Sequence, residues 1–370
     1  MHPFELRGDG VLLAPPTRDD VDVIIELCQD EDVQKWTTIP SPYTREDGEK
    51  FLSDIVEPGW KSTTNLTWAV RNQEDRSVIG MIGLHQRDPS SAEIGFWMGA
   101  PFRGKGLMTA AVRLVCEYGL DPDGAAMERV VWRAAPGNWG SRRVAWRLGF
   151  TFEGTVRSDL LQRGVRRDCW VGTLLAGEPM EPKGSWLGVP TLAGSRTTLR
   201  RFAESDADAI VEACIDPVSR HWLGKLPERY TRDTALDYIH TRENDHATGQ
   251  GLHWAAEHPG GGPAIGSFSL MTIRDGRAEV GYWVHPHARG SGVASEAVQL
   301  MVQHAFTPEG AGGLGIRRLV LACAEGNDAS RRVAERAGFK HFGTETSAER
   351  LGNGTWVDLH WYELLSEATQ

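Results

Sequence analysis

The stretch that decides the reading is Glu93-Ile94-Gly95-Phe96-Trp97-Met98, followed by a glycine turn at Arg103-Gly104-Lys105-Gly106-Leu107-Met108. Both pieces recur 186 residues later, as Glu279-Val280-Gly281-Tyr282-Trp283-Val284 and Arg289-Gly290-Ser291-Gly292-Val293-Ala294. Farther on, Gly137-Asn138-Trp139-Gly140-Ser141-Arg142-Arg143-Val144-Ala145 returns as Gly326-Asn327-Asp328-Ala329-Ser330-Arg331-Arg332-Val333-Ala334, now at an offset of 189. Three residues are therefore inserted between the motifs, and Gly310-Ala311-Gly312-Gly313 is the candidate, read as a flexible loop. Upstream, Trp36 and Tyr43-Thr44-Arg45 are echoed by Trp222 and Tyr230-Thr231-Arg232. A period this long marks duplicated domains, not a solenoid of short repeats.

Working outward, 370 residues suit two domains of roughly 100–200 each. The stretch from Ala176 to Gly184 mixes proline, glycine and charge with no apolar period. The expected boundaries are a first domain over 1–178, a linker over 179–193 and a second domain over 194–370. Each half opens with a short strand (Val11–Leu13; Thr198–Arg200) and an Asp-rich helix start at Thr17–Asp20 or Glu204–Ala207. Two or three β-type runs follow, then the glycine turn into a helix over 109–118. A buried-type strand, a helix over 141–148 and a closing strand pair complete the half. Strands and helices mixed on one sheet give an α/β (α+β) class.

Composition excludes several alternatives. Apolar residues are 40% and charged residues 24%, ordinary for a globular protein, and no window holds the ~18–20 apolar residues of a membrane span. The first residues lack the charged start and apolar stretch of a signal peptide, so a cytoplasmic location is expected. Five cysteines, an odd number without any CxxC pair, suggest buried thiols and neither a disulfide framework nor a metal site. A formal charge of −10 argues against nonspecific nucleic-acid binding and mildly favours a cationic partner such as an amine.

Glycines in the turn let a ligand approach the backbone, and successive N–H groups at a helix start can converge on one anion. A pyrophosphate is the obvious guest. Lys105 adds a cation in the first copy, whereas Ser291 can only hydrogen-bond. Neither the Walker GK[ST] nor the dinucleotide GxGxxG pattern is present. With these residues, each half resembles a GNAT-superfamily acetyltransferase, whose acyl-CoA motif reads [RQ]-x-x-G-x-[GA]. Arg289, Gly292 and Ala294 fit it; Arg103 and Gly106 fit, but Met108 stands at the last place. Both halves are most similar to the RimJ/RimL group, in which that turn and the Gly-Asn-x-x-Ser block are common.

The resemblance covers about Val11–Ala176 and Thr198–Leu365. It implies two tandem GNAT folds, each a mixed, mostly antiparallel twisted sheet flanked by helices, using acetyl-CoA. Implied cofactor contacts are Trp97, Met98, Arg103, Gly104, Lys105, Gly106, Leu107, Met108, Thr109 and Asn138 in the first half. Their counterparts are Trp283, Val284, Arg289, Gly290, Ser291, Gly292, Val293, Ala294 and Asn327.

Acetyl transfer needs a neutral amine, donors for an oxyanion and a proton source for the departing thiolate. Glu93 and Glu279 hold a strand position where several GNAT enzymes carry a base; the alternative is pairing with polar neighbours. Glu349, eleven residues after Gly338, matches a RimL-type glutamate, while the first half has Leu160 there. The tyrosine many GNAT enzymes use as acid is replaced by Ala145 and Ala334. RimL-type enzymes point instead to Ser141 and Ser330, which could equally be helix N-caps. Asn138 and Asn327 would bond the pantetheine arm, and the N–H of Met98 or Val284 would face the thioester carbonyl. Asp168 and Asp358 fit an inter-strand role as well as any chemistry. Trp36, Tyr43, Trp222 and Tyr230 are expected against the acceptor.

The expected function is acetyl-CoA-dependent N-acetylation of a peptide N-terminus or small-molecule amine, by direct attack in a ternary complex. Neither nucleic acid, membrane nor metal enters, and the chain is expected to be a monomer or homodimer. The alternative keeps one half as a non-catalytic acyl-CoA or substrate-binding module.

Overall fold

Residues 66–70 and 78–84 are buried without a break in the computed structural model. Strands buried on both sides need cover on both faces. The model describes residues 2–366 and divides into two units, Met1–Lys183 and Gly184–Gln370.

In the first unit the strands are β1 Leu6–Gly8, β2 Val11–Ala14, β3 Asn65–Asn72, β4 Val78–Asp88, β5 Ser91–Met98, β6 Arg129–Ala134, β7 Thr151–Gln162 and β8 Val165–Leu175. They form one sheet in the order β1-β2-β3-β4-β5-β6-β8-β7. Only β5 and β6 run parallel, because the crossover between them passes through a helix. The helices are α1 Val21–Cys28, α2 Glu31–Trp36, α3 Arg45–Lys50, α4 Glu57–Ser62, α5 Leu107–Leu120 and α6 Trp139–Arg147. Ala111, Val112 and Val115 of α5 join Trp68, Val70, Ile82 and Leu84 in one cluster. On the opposite face, Ile24 and Cys28 of α1 pack with Ala69, Met81 and Trp97.

The second unit repeats the plan with β9 Leu192–Ala193, β10 Thr198–Arg200, β11 Gly251–Glu257, β12 Gly266–Arg274, β13 Arg277–Val284, β14 Arg318–Ala324, β15 Lys340–Arg350 and β16 Trp356–Leu365. The sheet order is β15-β16-β14-β13-β12-β11-β10-β9, with β13 and β14 the parallel pair. Its helices are α7 Ala207–Ile215, α8 Pro217–Trp222, α9 Arg232–Ala247, α10 Val293–Phe306 and α11 Asp328–Arg336.

In each unit the parallel pair comes apart. Register runs from Ser91↔Arg129 to Ile94↔Trp132 and then stops, although β5 continues to Met98. Likewise Val280↔Leu321 is the last pair of β13 and β14, although β13 continues to Val284. The gap lies at the end where the glycine turn begins.

The break between the units, Lys183/Gly184, falls inside the stretch 179–193 expected as a linker, and that stretch is anchored on both sides of the break: Met180 packs on the first core and its C=O accepts Arg113 Nη2 at 2.9 Å. Leu187 and Val189 pack on the second core, Trp254 Nε1 donates to Pro190 C=O at 2.9 Å, and Leu192–Ala193 is β9. Its prolines and glycines read as linker, but its apolar residues are anchors. The insertion Gly310–Gly313 is an ordered turn, with Ala311 and Gly313 N–H donating to Pro308 C=O at 2.9 and 3.1 Å. All five cysteines are buried free thiols.

The Asp-rich helix starts are fixed by buried carboxylates. Asp20 accepts Thr17 N–H at 2.7 Å and Arg71 Nη2 at 2.6 Å. Asp206, 1% exposed, accepts two Arg200 N–H groups at 2.8 and 2.9 Å, Ala203 N–H at 2.9 Å and Ala264 N–H at 3.1 Å. Removing it strands four donors at once. Asp206→Ala is expected to cost the second unit about 3–5 kcal/mol. Hydrogen exchange would show this as faster exchange in β10–β13 peptides, with first-unit peptides unchanged.

Candidate active site

A cleft of about 550 Å³ opens where β5 and β6 part. It draws Trp36 from α2 on one face of the sheet and Leu107 and Val144 from α5 and α6 on the other, so it passes through the gap. Phe96, Trp97 and Met98 form the strand side, while Asn138 and Ser141 lie along the far wall. Its size suits a ligand longer than a bare amine.

The turn is an empty cradle. Gly104 and Gly106 hold φ of +77° and +81°, and a Cβ at either would meet no atom within 4 Å. Gly290 and Gly292 hold φ of +75° and +86°; a Cβ on Gly290 would meet nothing within 4 Å, and one on Gly292 would meet only the Arg196 side chain, at 3.4–3.6 Å. Neither α5 nor α10 has a side-chain cap, so the first N–H groups of each helix point into the cradle unclaimed. Such a ring of donors at a positive helix end fits a diphosphate. Side chains here would narrow the space and strain the backbone. Lys105 does not line the cleft; its ammonium lies 5.9 Å from the Phe102 ring centre. Ser291 Oγ donates to Ala288 C=O at 2.6 Å and braces the turn.

Arg103 and Arg289, expected on the cofactor, are committed to the protein. Arg103 donates to Met98 C=O at 2.9 Å and pairs with Asp32 at 3.0 Å and with Asp30. Asp30 also caps α2 by accepting Val33 N–H at 2.9 Å. Burial alone would raise the Asp30 carboxyl, but Arg103 and the cap outweigh it and hold it below the usual range. In the second unit Arg289 donates to Val284 C=O at 3.3 Å, Asp216 at 2.7 Å and Ser219 Oγ at 2.8 Å, and Asp216 caps α8. The motif arginine thus latches the strand end to the helix bearing Trp36 or Trp222.

The same strand ends offer an oxyanion donor. Gly99 N–H bonds Ile79 C=O at 3.0 Å, which leaves the N–H and C=O of Met98 directed away from β4. Arg103 takes the C=O, and the N–H faces the gap. His285 N–H bonds Ile265 C=O at 2.9 Å and places Val284 alike.

Asn138 and Asn327 are the N-caps of α6 and α11, accepting Ser141 N–H at 3.2 Å and Ser330 N–H at 3.1 Å. The serines are therefore not the caps, and their hydroxyls are free for other work. Trp132 Nε1 donates to Ser141 Oγ at 2.9 Å; because indole only donates, Ser141 keeps its own proton to give. Ser330 Oγ meets Tyr282 OH at 2.9 Å instead. Tyr282 stands where the first unit has Phe96, and burial pushes its phenol up. The missing acid tyrosine thus has a phenol in its neighbourhood from another strand; the Phe96/Tyr282 difference within the repeat is its only sequence signal.

The paired glutamates differ in surroundings. Glu93 Oε2 meets Arg87 and, at 3.5 Å, Arg133, and it does not line the cleft. The positions of Arg87 and Arg133 are occupied by Ile273 and Ala322 around Glu279. No hydrogen bond or ion pair engages Glu279 among the described residues, and burial raises its carboxyl, with Lys225 and Arg277 offsetting part. Glu349 lies in β15 opposite Val357, on the hairpin whose Gly352 N–H bonds His221 C=O at 2.8 Å. That contact places it beside the Trp222 helix. Asp168 and Asp358 take Ser158 and Ser347 N–H at 3.0 and 2.8 Å, an inter-strand role.

Of the expected acceptor contacts, the tryptophans and tyrosines separate. Trp36 reaches the Gly137 turn and Trp222 the Gly326 turn, 3.2 and 3.8 Å from where a Cβ would stand. Tyr43 and Tyr230 are only 6% and 8% exposed, packed in the clusters beneath α1 and α7. They support α1 and α7 from beneath. An aromatic residue in a loop carries no sequence mark of which way it turns.

The acetyltransferase (GNAT) domain model matches residues 11–151 and 196–340. YdaF of Bacillus subtilis (strain 168), whose name proposes a ribosomal N-acetyltransferase, is 41% identical over 106 residues, 28% of this chain and 57% of its own length. YoaA of the same organism, named as an uncharacterised N-acetyltransferase, is 28% identical over 180 residues, 48% of this chain and 97% of its own. Among solved structures, the ribosomal L7/L12 alpha-N-protein acetyltransferase RimL in complex with coenzyme A aligns with a TM-score of 0.42 and 23% identity. That alignment covers 48% of this chain and 99% of RimL.

Because folding raises the Glu279 carboxyl, ionised Glu279 costs stability above its folded pKa, and the cost vanishes once both states are protonated. Glu279→Gln is therefore expected to stabilise the second unit at neutral pH, with the gain shrinking as pH falls toward the ordinary value of 4.5. Glu93→Gln, which deprives Arg87 and Arg133 of a carboxylate, gives no such gain. Hydrogen exchange of each core, followed from neutral pH down to about 4, separates the two.

Proposed function

The chain belongs to the GNAT acetyltransferase family through both of its halves, and from that premise we propose that each half binds one acetyl-CoA and acetylates a primary amine. The observation that carries this is the coincidence, in both units, of three features at one place. These are a parted parallel strand pair, an open glycine cradle with unclaimed N–H donors, and an Asn-capped helix presenting a serine hydroxyl. The acceptor is a peptide or protein α-amine, or the amine of a small molecule. The ribosomal names among the relatives favour the former.

Acetyl-CoA supplies a thioester whose carbonyl carbon an amine can attack; the rest falls to the chain. The turn N–H groups of 104–109 and 290–294 hold the diphosphate, and the side-chain amides of Asn138 and Asn327 bond the pantetheine arm. Met98 and Val284 N–H groups donate to the carbonyl oxygen as it gains charge, worth about 2.7–4 kcal/mol for one such donor. A peptide α-amine, with a pKa of about 8, is mostly protonated at neutral pH, an alkyl amine with a pKa of about 10 more so, and either must lose a proton before it attacks. Glu279, half-buried and without a hydrogen bond or ion pair among the described residues, accepts that proton directly or through water; Glu349 is placed to draw the cationic acceptor in. In the first unit only Oε1 of Glu93 is left for this work, since Oε2 is engaged by two guanidiniums. As the C–S bond breaks, the Ser141 hydroxyl donates to the thiolate, and Ser330 does so with Tyr282 behind it. Transfer is direct, within a ternary complex, and the acetyl group never rests on the protein.

Calorimetry on the whole chain is expected to show two acetyl-CoA sites, one abolished by Gly106→Trp and the other by Gly292→Trp. In the Gly106→Trp chain, Glu279→Gln is expected to lower acetyl transfer roughly 10²–10⁴-fold with acetyl-CoA binding retained. One site only would make the silent half a recognition module. No binding at all would overturn the reading.

A further inference from the structure

The two cradles are built alike, but the hairpins beside them are not. In the first unit β1 and β2 close through Gly8↔Val11, leaving only Asp9 and Gly10 in the turn. In the second, β9 and β10 close through Ala193↔Thr198, so the turn holds Gly194, Ser195, Arg196 and Thr197. This longer loop is fastened to the first turn of α10. The Glu296 carboxylate accepts Ser195 N–H at 2.9 Å, Ser195 Oγ–H at 2.6 Å, Arg196 N–H at 2.7 Å and Thr197 N–H at 2.9 Å. Partial burial would raise the Glu296 carboxyl, but these donors outweigh it and hold it below the usual range. Gly194 belongs to the same fastening, since a Cβ there would stand 2.5 Å from Glu296 Oε2.

The fastening sends Arg196 across the cradle. Its Nη1 donates to Ser291 C=O at 3.1 Å. Its Cδ, Nε and Nη1 lie 3.4–3.6 Å from where a Cβ on Gly292 would be. No carboxylate pairs with it among the described residues, so a guanidinium with five N–H donors has used one of them. The first unit has nothing comparable: no atom lies within 4 Å of a Cβ on Gly106, and Gly10 meets only Leu107. The cation of that turn is Lys105, and its counterpart is the neutral Ser291.

We propose that Arg196 is the diphosphate-binding cation of the second cradle, delivered by the β9–β10 hairpin in place of the lysine its turn lacks. Glu296 acts as the positioning residue that shapes the hairpin. This rests on the reading that the second turn binds acetyl-CoA. A bidentate guanidinium then supplements the N–H groups of 290–294.

The test uses the whole chain carrying Gly106→Trp, so that the second cradle alone is open, with calorimetry of CoA and of 3′-dephospho-CoA. Arg196→Ala is expected to weaken CoA binding by about tenfold or more, and Arg196→Lys by less. Arg196→Ala weakens 3′-dephospho-CoA by the same factor, because the diphosphate is present in both. Glu296→Ala, which frees the loop while keeping the arginine, is expected to give a comparable loss. CoA binding that Arg196→Ala leaves unchanged, or tightens, overturns the assignment while the two-site reading stands. A loss that disappears with 3′-dephospho-CoA overturns it too, by moving Arg196 to the 3′-phosphate. Failure of the Gly106→Trp parent to bind CoA overturns the second-site reading and the assignment with it.

Discussion

The arrangement depends on one latch. A parallel strand pair that continued to its end would be closed by ladder hydrogen bonds, with no space for a ligand between the strands. Here Arg103 and Arg289 occupy the carbonyl at the end of β5 or β13 and carry it to an aspartate that caps the next helix over. One guanidinium thus fixes the parted strand, the start of the glycine turn and the helix bearing Trp36 or Trp222. The unclaimed N–H of Met98 or Val284 goes with that fixation.

Upon this shared frame the two units have diverged around their chemistry. Glu93 lies between two arginines, while Glu279 has Ile273 and Ala322 in their places and no hydrogen bond or ion pair among the described residues. Ser141 is backed by an indole that can only donate, Ser330 by a phenol that can do either. The cation nearest the turn is Lys105, within it, in one half and Arg196, on a neighbouring hairpin, in the other. These are differences in electrostatics and hydrogen bonding, not in fold.

Much of this was legible in the sequence wherever the cause is local. Glycines at positive φ announce the turn, a run of buried-type residues announces the strand, and repetition makes both credible where one copy would be weak. Asn138 and Ser141 were legible as a pair, though which of them caps the helix was not, because both are good caps. What escaped was tertiary. Tyr43 turns inward, Arg103 finds Asp30 from another element, and Arg196 reaches a turn 95 residues away, all through juxtapositions no spacing encodes. The anchoring of the linker was missed for the opposite reason: its prolines and glycines outweighed the few apolar residues that hold it to each core.

The central claim is that both parted strand pairs are acyl-CoA sites. A crystal structure of the whole chain grown with CoA tests it most directly. The account predicts two CoA molecules per chain, each with its diphosphate on the N–H groups of 104–109 or 290–294 and its thiol in the gap beside Met98 or Val284. CoA bound elsewhere, or a glycine cradle left empty at saturating CoA, would contradict it.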